Sequence, residues 1–103
     1  MSKNILEQII KKKIEKVDLL KKSLKIKKLE NLINKNKTFV NFKDQISKRL
    51  INNQISIIAE IKKASPSAGI LINDYNPLDI AQIYYKNNVT CLSVLTEEDF
   101  FFR

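Results

Sequence analysis

The sequence predicts an α/β fold, and three observations support this. Residues 3–50 carry apolar side chains three and four positions apart, which is the period of amphipathic helices. Two short segments rich in β-branched residues, 55–61 and 89–96, have the composition of buried strands. Between them, residues 77–88 have a helical period that begins with a proline. Strand, helix and strand in this order form a βαβ unit, in which the two strands are parallel.

The first half of the chain is predicted to be a helical extension. Residues 3–22 are expected to form the first helix, because neither Gly nor Pro interrupts them and lysines separate the apolar positions. A second helix is expected over 25–35 and a short third helix over 42–50. The sequence therefore predicts two domains, a helical extension over 1–50 and the βαβ unit over 51–103.

The second half predicts only part of a larger fold. A parallel strand pair needs cover on both faces and further strands beside it. The chain ends seven residues after the segment 89–96. We therefore expect the front part of a larger, truncated α/β protein. By itself, the 103-residue chain is expected to be inactive and poorly folded, because two parallel strands leave open edges and uncovered faces.

Composition excludes several classes of chemistry. The chain has no histidine, which excludes a Ser-His-Asp triad and a His-ligated metal. Its single cysteine, Cys91, excludes an internal disulfide and a multi-cysteine metal site, and we expect it to be a small buried apolar residue. No apolar run approaches the ~20 residues of a membrane-spanning helix, and no secretory signal is seen. We expect a cytoplasmic protein that uses no metal.

Positive charge is concentrated in the first half. Residues 1–50 contain fifteen Lys or Arg and five Asp or Glu, whereas 51–103 contain four and six. This permits an alternative function, a small basic helical module that binds nucleic acid or an anionic surface. Lys, Asn and Ile, which have A/T-rich codons, make up 44 of the 103 residues. Codon bias and the scarcity of arginine, a strong phosphate ligand, favour a compositional cause, so neither a nucleic acid nor a membrane is expected as a partner.

Candidate catalytic residues lie at the end of the first predicted strand. Alternation with period two places Glu60 and Lys62 on one face, and the apolar Ala59 and Ile61 on the other. In parallel α/β folds, ligands bind at the carboxyl ends of the strands. A lysine there can bind a carboxylate or phosphate and can act as an acid. A solvated ion pair explains the pattern equally well, so the residues alone leave both interpretations open.

The loop after this strand offers hydroxyl groups. Ser65 and Ser67 flank Pro66 and can donate hydrogen bonds to an oxyanion, although the same residues are common in turns. Three consecutive phenylalanines, residues 100–102, are expected to form core or pocket wall in a complete protein.

Several segments resemble a known family. IIAEIKKASPSAGIL (57–71) resembles the first barrel strand and the following loop of indole-3-glycerol phosphate synthase. YNPLDIAQIYYKNNVTCLSVLTEEDFF (75–101) resembles the next helix, the second strand and the Leu-Thr-Glu-Glu/Asp-x-Phe-Phe segment of that family. ILEQIIKKKIEKV (5–17) and NFKDQI (41–46) also fit its helical extension. The resemblance thus covers essentially the whole chain.

This resemblance implies the N-terminal part of a (β/α)8 TIM barrel and a carboxy-lyase of tryptophan biosynthesis. The implied substrate is an anthranilate-derived sugar phosphate, 1-(2-carboxyphenylamino)-1-deoxyribulose 5-phosphate. The implied reaction closes the pyrrole ring with loss of carbon dioxide and water, and needs neither a cofactor nor a metal.

The resemblance also implies roles for individual residues. Lys62 resembles the catalytic lysine that meets the substrate carboxylate, and Glu60 resembles the glutamate that orients this lysine and the substrate. Four more residues resemble substrate-binding positions: Ser65 and Pro66 in the first loop, and Leu95 and Phe101 in the apolar wall around the anthranilate ring.

The chain departs from the family pattern in places. Ala68 stands where the family usually has Lys, Asn88-Val89 where it has Gly-Ala, and Asp99 where it has Lys. The other six strands of an eight-stranded barrel are absent, and with them a general-acid lysine, later catalytic Glu and Asn residues and the phosphate site. A third hypothesis is therefore a remnant that pairs with a separately encoded second half of the barrel. Fusion to or association with other tryptophan-pathway enzymes stays open.

Overall fold

The computed structural model describes residues 4–103, and the chain divides into two compact units. Of the described residues, 4–40 belong to the first unit and Asn41–Arg103 to the second. The domain boundary expected from the sequence, between residues 50 and 51, stays a prediction. The third helix lies in the same compact unit as the strands.

The first unit contains two helices. Helix α1 (Ile5–Ser23) begins at Asn4, whose side chain accepts a hydrogen bond from the Leu6 N–H at 3.0 Å. Helix α2 (Ile26–Lys35) follows after a two-residue break. Both predicted helices are confirmed, and neither contains a buried residue. Within residues 4–103, no helix combines the length and the hydropathy needed to cross a bilayer.

Two capped helices belong to the second unit. Helix α3 (Phe42–Ile51) begins where the Asn41 side chain accepts a hydrogen bond from the Asp44 N–H at 3.1 Å. Helix α4 (Pro77–Lys86) is capped by Asn76 and has Pro77 in its first turn, where a missing N–H costs no intrahelical bond. Both helices agree with the sequence expectation.

A parallel strand pair forms the centre of the second unit. Strand β1 (Ile58–Ile61) pairs with strand β4 (Cys91–Val94), in a register that places Glu60 beside Ser93. The predicted parallel βαβ unit is confirmed, but both strands are shorter than predicted. At the start of the pair, the Ile57 N–H donates to the Thr90 hydroxyl oxygen at 2.9 Å instead of continuing the ladder.

The loop after β1 contains a small hairpin that the sequence did not predict. Strands β2 (Ala64–Ser65) and β3 (Gly69–Ile70) pair antiparallel across the turn 66–68. Gly69 has φ 68°, the left-handed conformation that closes a three-residue hairpin turn. This is the only glycine in the chain, and the turn requires it.

Arg49 ties α3 to the strand pair. Its guanidinium donates to the Ile55 carbonyl at 3.4 Å and to the Asn88 carbonyl, so one side chain joins the segments that lead into β1 and β4. Asn88 itself has φ 58°, where asparagine is tolerated better than most non-glycine residues.

The core of the described residues is small. Ala59, Ile61, Ala64 and Cys91 are the buried apolar side chains among residues 4–103, and Ile61 is only 1% exposed. The expectation that Cys91 is buried is confirmed, and Ala59 and Ile61, which alternation places on one face, are buried as well. The Tyr84 hydroxyl of α4 donates to the Glu60 carbonyl at 2.9 Å, which fixes this helix against β1.

We predict that the 103-residue chain by itself unfolds without a cooperative transition, because so few apolar side chains are buried. Thermal melting followed by far-UV and near-UV circular dichroism tests this. Broad, non-coincident curves are expected, and the same chain in urea supplies the unfolded baseline. Sharp, coincident transitions would contradict the prediction.

Candidate functional site

An acid and a base meet at the carboxyl end of β1. The Lys62 Nζ lies 2.7 Å from Oε1 of Glu60, and the two side chains are 30% and 46% exposed, respectively. Glu60 lies in the strand and Lys62 directly follows it, so period two places both on one face, as predicted. An ion pair this close to water contributes little to stability, so its position is of more interest for ligand binding than for folding.

A backbone hydrogen bond between the two strands lies next to this ion pair. The Leu95 N–H donates to the Ile61 carbonyl at 3.0 Å and continues the ladder one residue past β4. By alternation along β4, Ser93 and Leu95 lie on the same face as Glu60 and Lys62. Two predicted site residues therefore touch, and a third lies on the adjacent strand beside them.

Ser65 and Pro66 belong to the hairpin. The Ser65 hydroxyl oxygen accepts a hydrogen bond from the Ala68 N–H at 3.1 Å and lies 3.5 Å from that of Ser67. Pro66 is exposed in the turn. The Ser65 oxygen therefore helps to close the turn, and in the hydrogen bond between the two serines either hydroxyl can be the donor. Contact of either residue with a substrate stays a prediction.

An open cavity of about 400 Å³ lies beside the end of β4. It is lined by the following residues: Lys63, Tyr75, Pro77, Val94, Leu95, Thr96 and Arg103. Leu95 is the one predicted site residue among them. Val94 and Leu95 face opposite sides of the strand pair, so this cavity lies at the end of β4 rather than on one face of the pair.

Glu97 organises the segment that follows β4. Its Oε1 accepts a hydrogen bond from the Asp99 N–H at 3.0 Å, and its Oε2 accepts from Phe100 at 2.7 Å and Phe101 at 3.2 Å. Burial and the nearby Asp99 carboxylate act to raise the pKa of Glu97, but the three N–H donors outweigh them and hold it below its ordinary value of 4.5.

The sequence assigns no role to Glu97, although the residue lies in the segment 95–101 that resembles the family. A glutamate at the start of a turn only weakly indicates a carboxylate that binds backbone N–H groups, because the same pattern also suits an exposed surface residue. Phe101, which the sequence did single out, is half-buried at the end of this turn. The structure thus connects Phe101 to Glu97 through the backbone, while its proximity to Lys62 stays a prediction.

The fold and the Glu60–Lys62 ion pair define the class of protein. It is a parallel α/β protein with an acidic and a basic side chain paired at the carboxyl end of its first strand. Comparison with known proteins agrees with this class. The family model for indole-3-glycerol phosphate synthase matches residues 6–102. The chain therefore belongs to the indole-3-glycerol phosphate synthase family, as the sequence resemblance predicted.

Individual relatives support the same family. An indole-3-glycerol phosphate synthase of Endomicrobium trichonymphae is 45% identical over 100 residues, which are 94% of this chain and 37% of that protein. One from Trichodesmium erythraeum is 40% identical over 99 residues, 96% of this chain and 33% of that protein. The chain thus spans about a third of the length of these relatives.

We predict that the turn held by Glu97 is pH-dependent. The pKa of Glu97 is lower in the folded turn than in the unfolded chain, so its stabilising contribution is complete above 4.5 and is lost as pH falls through the lowered value. Amide-proton NMR of a fusion that supplies the unmatched part of the relatives should show the Phe100 and Phe101 signals shifting together in that range. In the variant Glu97→Gln these shifts should be absent, and their persistence would contradict the prediction.

Proposed function

We propose that the chain supplies the first part of the active site of an indole-3-glycerol phosphate synthase. In this proposal, the βαβ unit is the start of a (β/α)8 barrel. The complete enzyme closes the pyrrole ring of 1-(2-carboxyphenylamino)-1-deoxyribulose 5-phosphate, with loss of carbon dioxide and water and without a cofactor. The observation that carries this proposal is the 2.7 Å Glu60–Lys62 pair, which lies at the strand end where such barrels bind ligands.

Lys62 is proposed to bind the substrate carboxylate. Its ammonium group is held at the strand end by Glu60 and is partly shielded from water. A fixed cation at this place stabilises the carboxylate as it moves toward ring closure, because charge already in position needs no reorganisation in the transition state. The ion pair with Glu60 limits the positions that the Lys62 ammonium group can take.

The remaining predicted site residues are proposed to bind the rest of the substrate. Leu95, on the same strand-pair face as Lys62, and the half-buried Phe101 supply apolar surface for the anthranilate ring. Ser65 and Pro66 are proposed to border the substrate from the hairpin. The Ser65 O–H can donate to a substrate oxygen when Ser67 is the donor in the hydrogen bond between the two serines, because the Ala68 N–H occupies only an acceptor site of the Ser65 oxygen.

Ring closure is proposed to need more than these residues. The part of the relatives that this chain does not match is about two thirds of their length. We expect the general acid and the phosphate-binding groups to come from that part. The 103-residue chain by itself is therefore expected to lack ring-closing activity.

The proposal is tested in a fusion protein that supplies the unmatched part. In it, residues 1–103 are followed by the segment of the Endomicrobium trichonymphae relative that lies beyond the matched region. We predict ring-closing activity for this fusion, measured by the appearance of indole fluorescence. The substitution Lys62→Ala should lower kcat by about 10²–10³-fold, the usual effect of removing one fixed charge-stabilising group.

A matched control removes a lysine elsewhere. Lys43 is exposed in the first turn of α3, so Lys43→Met should leave kcat unchanged. Equal activity of the Lys62→Ala and Lys43→Met fusions would contradict the role of Lys62. A folded fusion with no ring-closing activity would contradict the proposed function as a whole.

A further inference from the structure

We propose that Glu97 is a positioning residue that fixes Phe101 for the aromatic ring of the substrate. The inference deepens the proposed function and rests on it. It assigns to Glu97 no contact with the substrate. Its basis is that the Glu97 carboxylate accepts hydrogen bonds from three backbone N–H groups, the last of which belongs to Phe101.

The segment that contains Glu97 and Phe101 is attached to the strand pair through Leu95. Leu95 is bound to β1 by its hydrogen bond to the Ile61 carbonyl at 3.0 Å, and Glu97 follows two residues later. The position of Glu97 is therefore set by the parallel ladder. The positions of Leu95 and Phe101, the two proposed ring contacts, therefore both depend on the same strand end.

Hydrogen bonds to Glu97 close the turn that follows it. Asp99, Phe100 and Phe101 have left the strand, so their N–H groups no longer find partners in the ladder, and the Glu97 carboxylate accepts from all three. At the far end, the Arg103 N–H donates to the Glu97 carbonyl at 3.3 Å. The side chain and the backbone of one residue thus hold both ends of the segment 99–103.

The turn requires a carboxylate at position 97. Both oxygens of Glu97 are used, one by Asp99 and the other by Phe100 and Phe101. A glutamine has one oxygen, and its amide N–H2 is a donor that would face other donors. Bonds to an ionised acceptor are also shorter and stronger than neutral ones. Glu97→Gln therefore loosens the turn without changing its size.

The closing experiment uses the fusion protein described above and varies Glu97 together with Phe101. We expect Glu97→Gln to raise KM about tenfold, the effect of weakening one or two charge-assisted hydrogen bonds, with kcat nearly unchanged. In a Phe101→Ala background, the same substitution should change KM by less than about twofold, since a residue that acts only through Phe101 has nothing left to position.

The matched control is the neighbouring glutamate. Glu98 pairs with Arg103 at 3.6 Å on the surface, so Glu98→Gln removes the same charge one residue away and should leave KM unchanged. Amide hydrogen exchange in the same fusions reports on the turn itself. Faster exchange of Phe100 and Phe101 is expected in Glu97→Gln and not in Glu98→Gln.

The outcomes separate the inference from the proposed function. Faster exchange with an unchanged KM would show a turn that matters only for local structure, and would overturn the inference. A tenfold effect on KM that persists in the Phe101→Ala background would overturn it as well, because Glu97 would then act by another route. Ring-closing activity absent from the fusion that retains Glu97 would instead refute the proposed function, and the positioning role with it.

Discussion

The parallel ladder between β1 and β4 is the constraint on which the second unit depends. Its register places Glu60 beside Ser93 and Ile61 beside Val94. Because paired residues of parallel strands point to the same side, this register divides the pair into a face with the buried Ala59 and Ile61 and a face that carries Glu60 and Lys62. A shift of the strand register by one residue would turn Lys62 to the face that buries Ala59 and Ile61, and would remove the candidate site.

Contacts outside the ladder keep this register in place. Arg49 joins the segments that precede the two strands, and the Tyr84 hydroxyl holds α4 on the Glu60 carbonyl. At the other end, the hairpin and the Glu97 turn shape the two segments that leave the strands. The candidate site thus lies where two well-placed strand ends meet two loops that are organised by their own hydrogen bonds.

Much of this arrangement could be predicted from the sequence, because it follows from periodicity. Period two alone placed Glu60 and Lys62 side by side, and the apolar spacing located the four helices of residues 4–103 within a few residues. The contacts of Arg49 and Glu97 could not be predicted in the same way. Both side chains bind backbone groups whose positions are set by the folded loops, so no spacing in the sequence reveals their partners. The contribution of Ser65 to its own turn, by contrast, was one of the two interpretations that the sequence left open.

The central claim is that Lys62 binds the substrate carboxylate at the end of β1. A crystal structure of the fusion protein with N-(2-carboxyphenyl)glycine, which keeps the aromatic carboxylate, tests it most directly. The account predicts an oxygen of the ring-bound carboxylate within about 3 Å of the Lys62 Nζ, a charge-assisted hydrogen bond. A ligand bound elsewhere, with the Lys62 ammonium still paired only with Glu60, would contradict it.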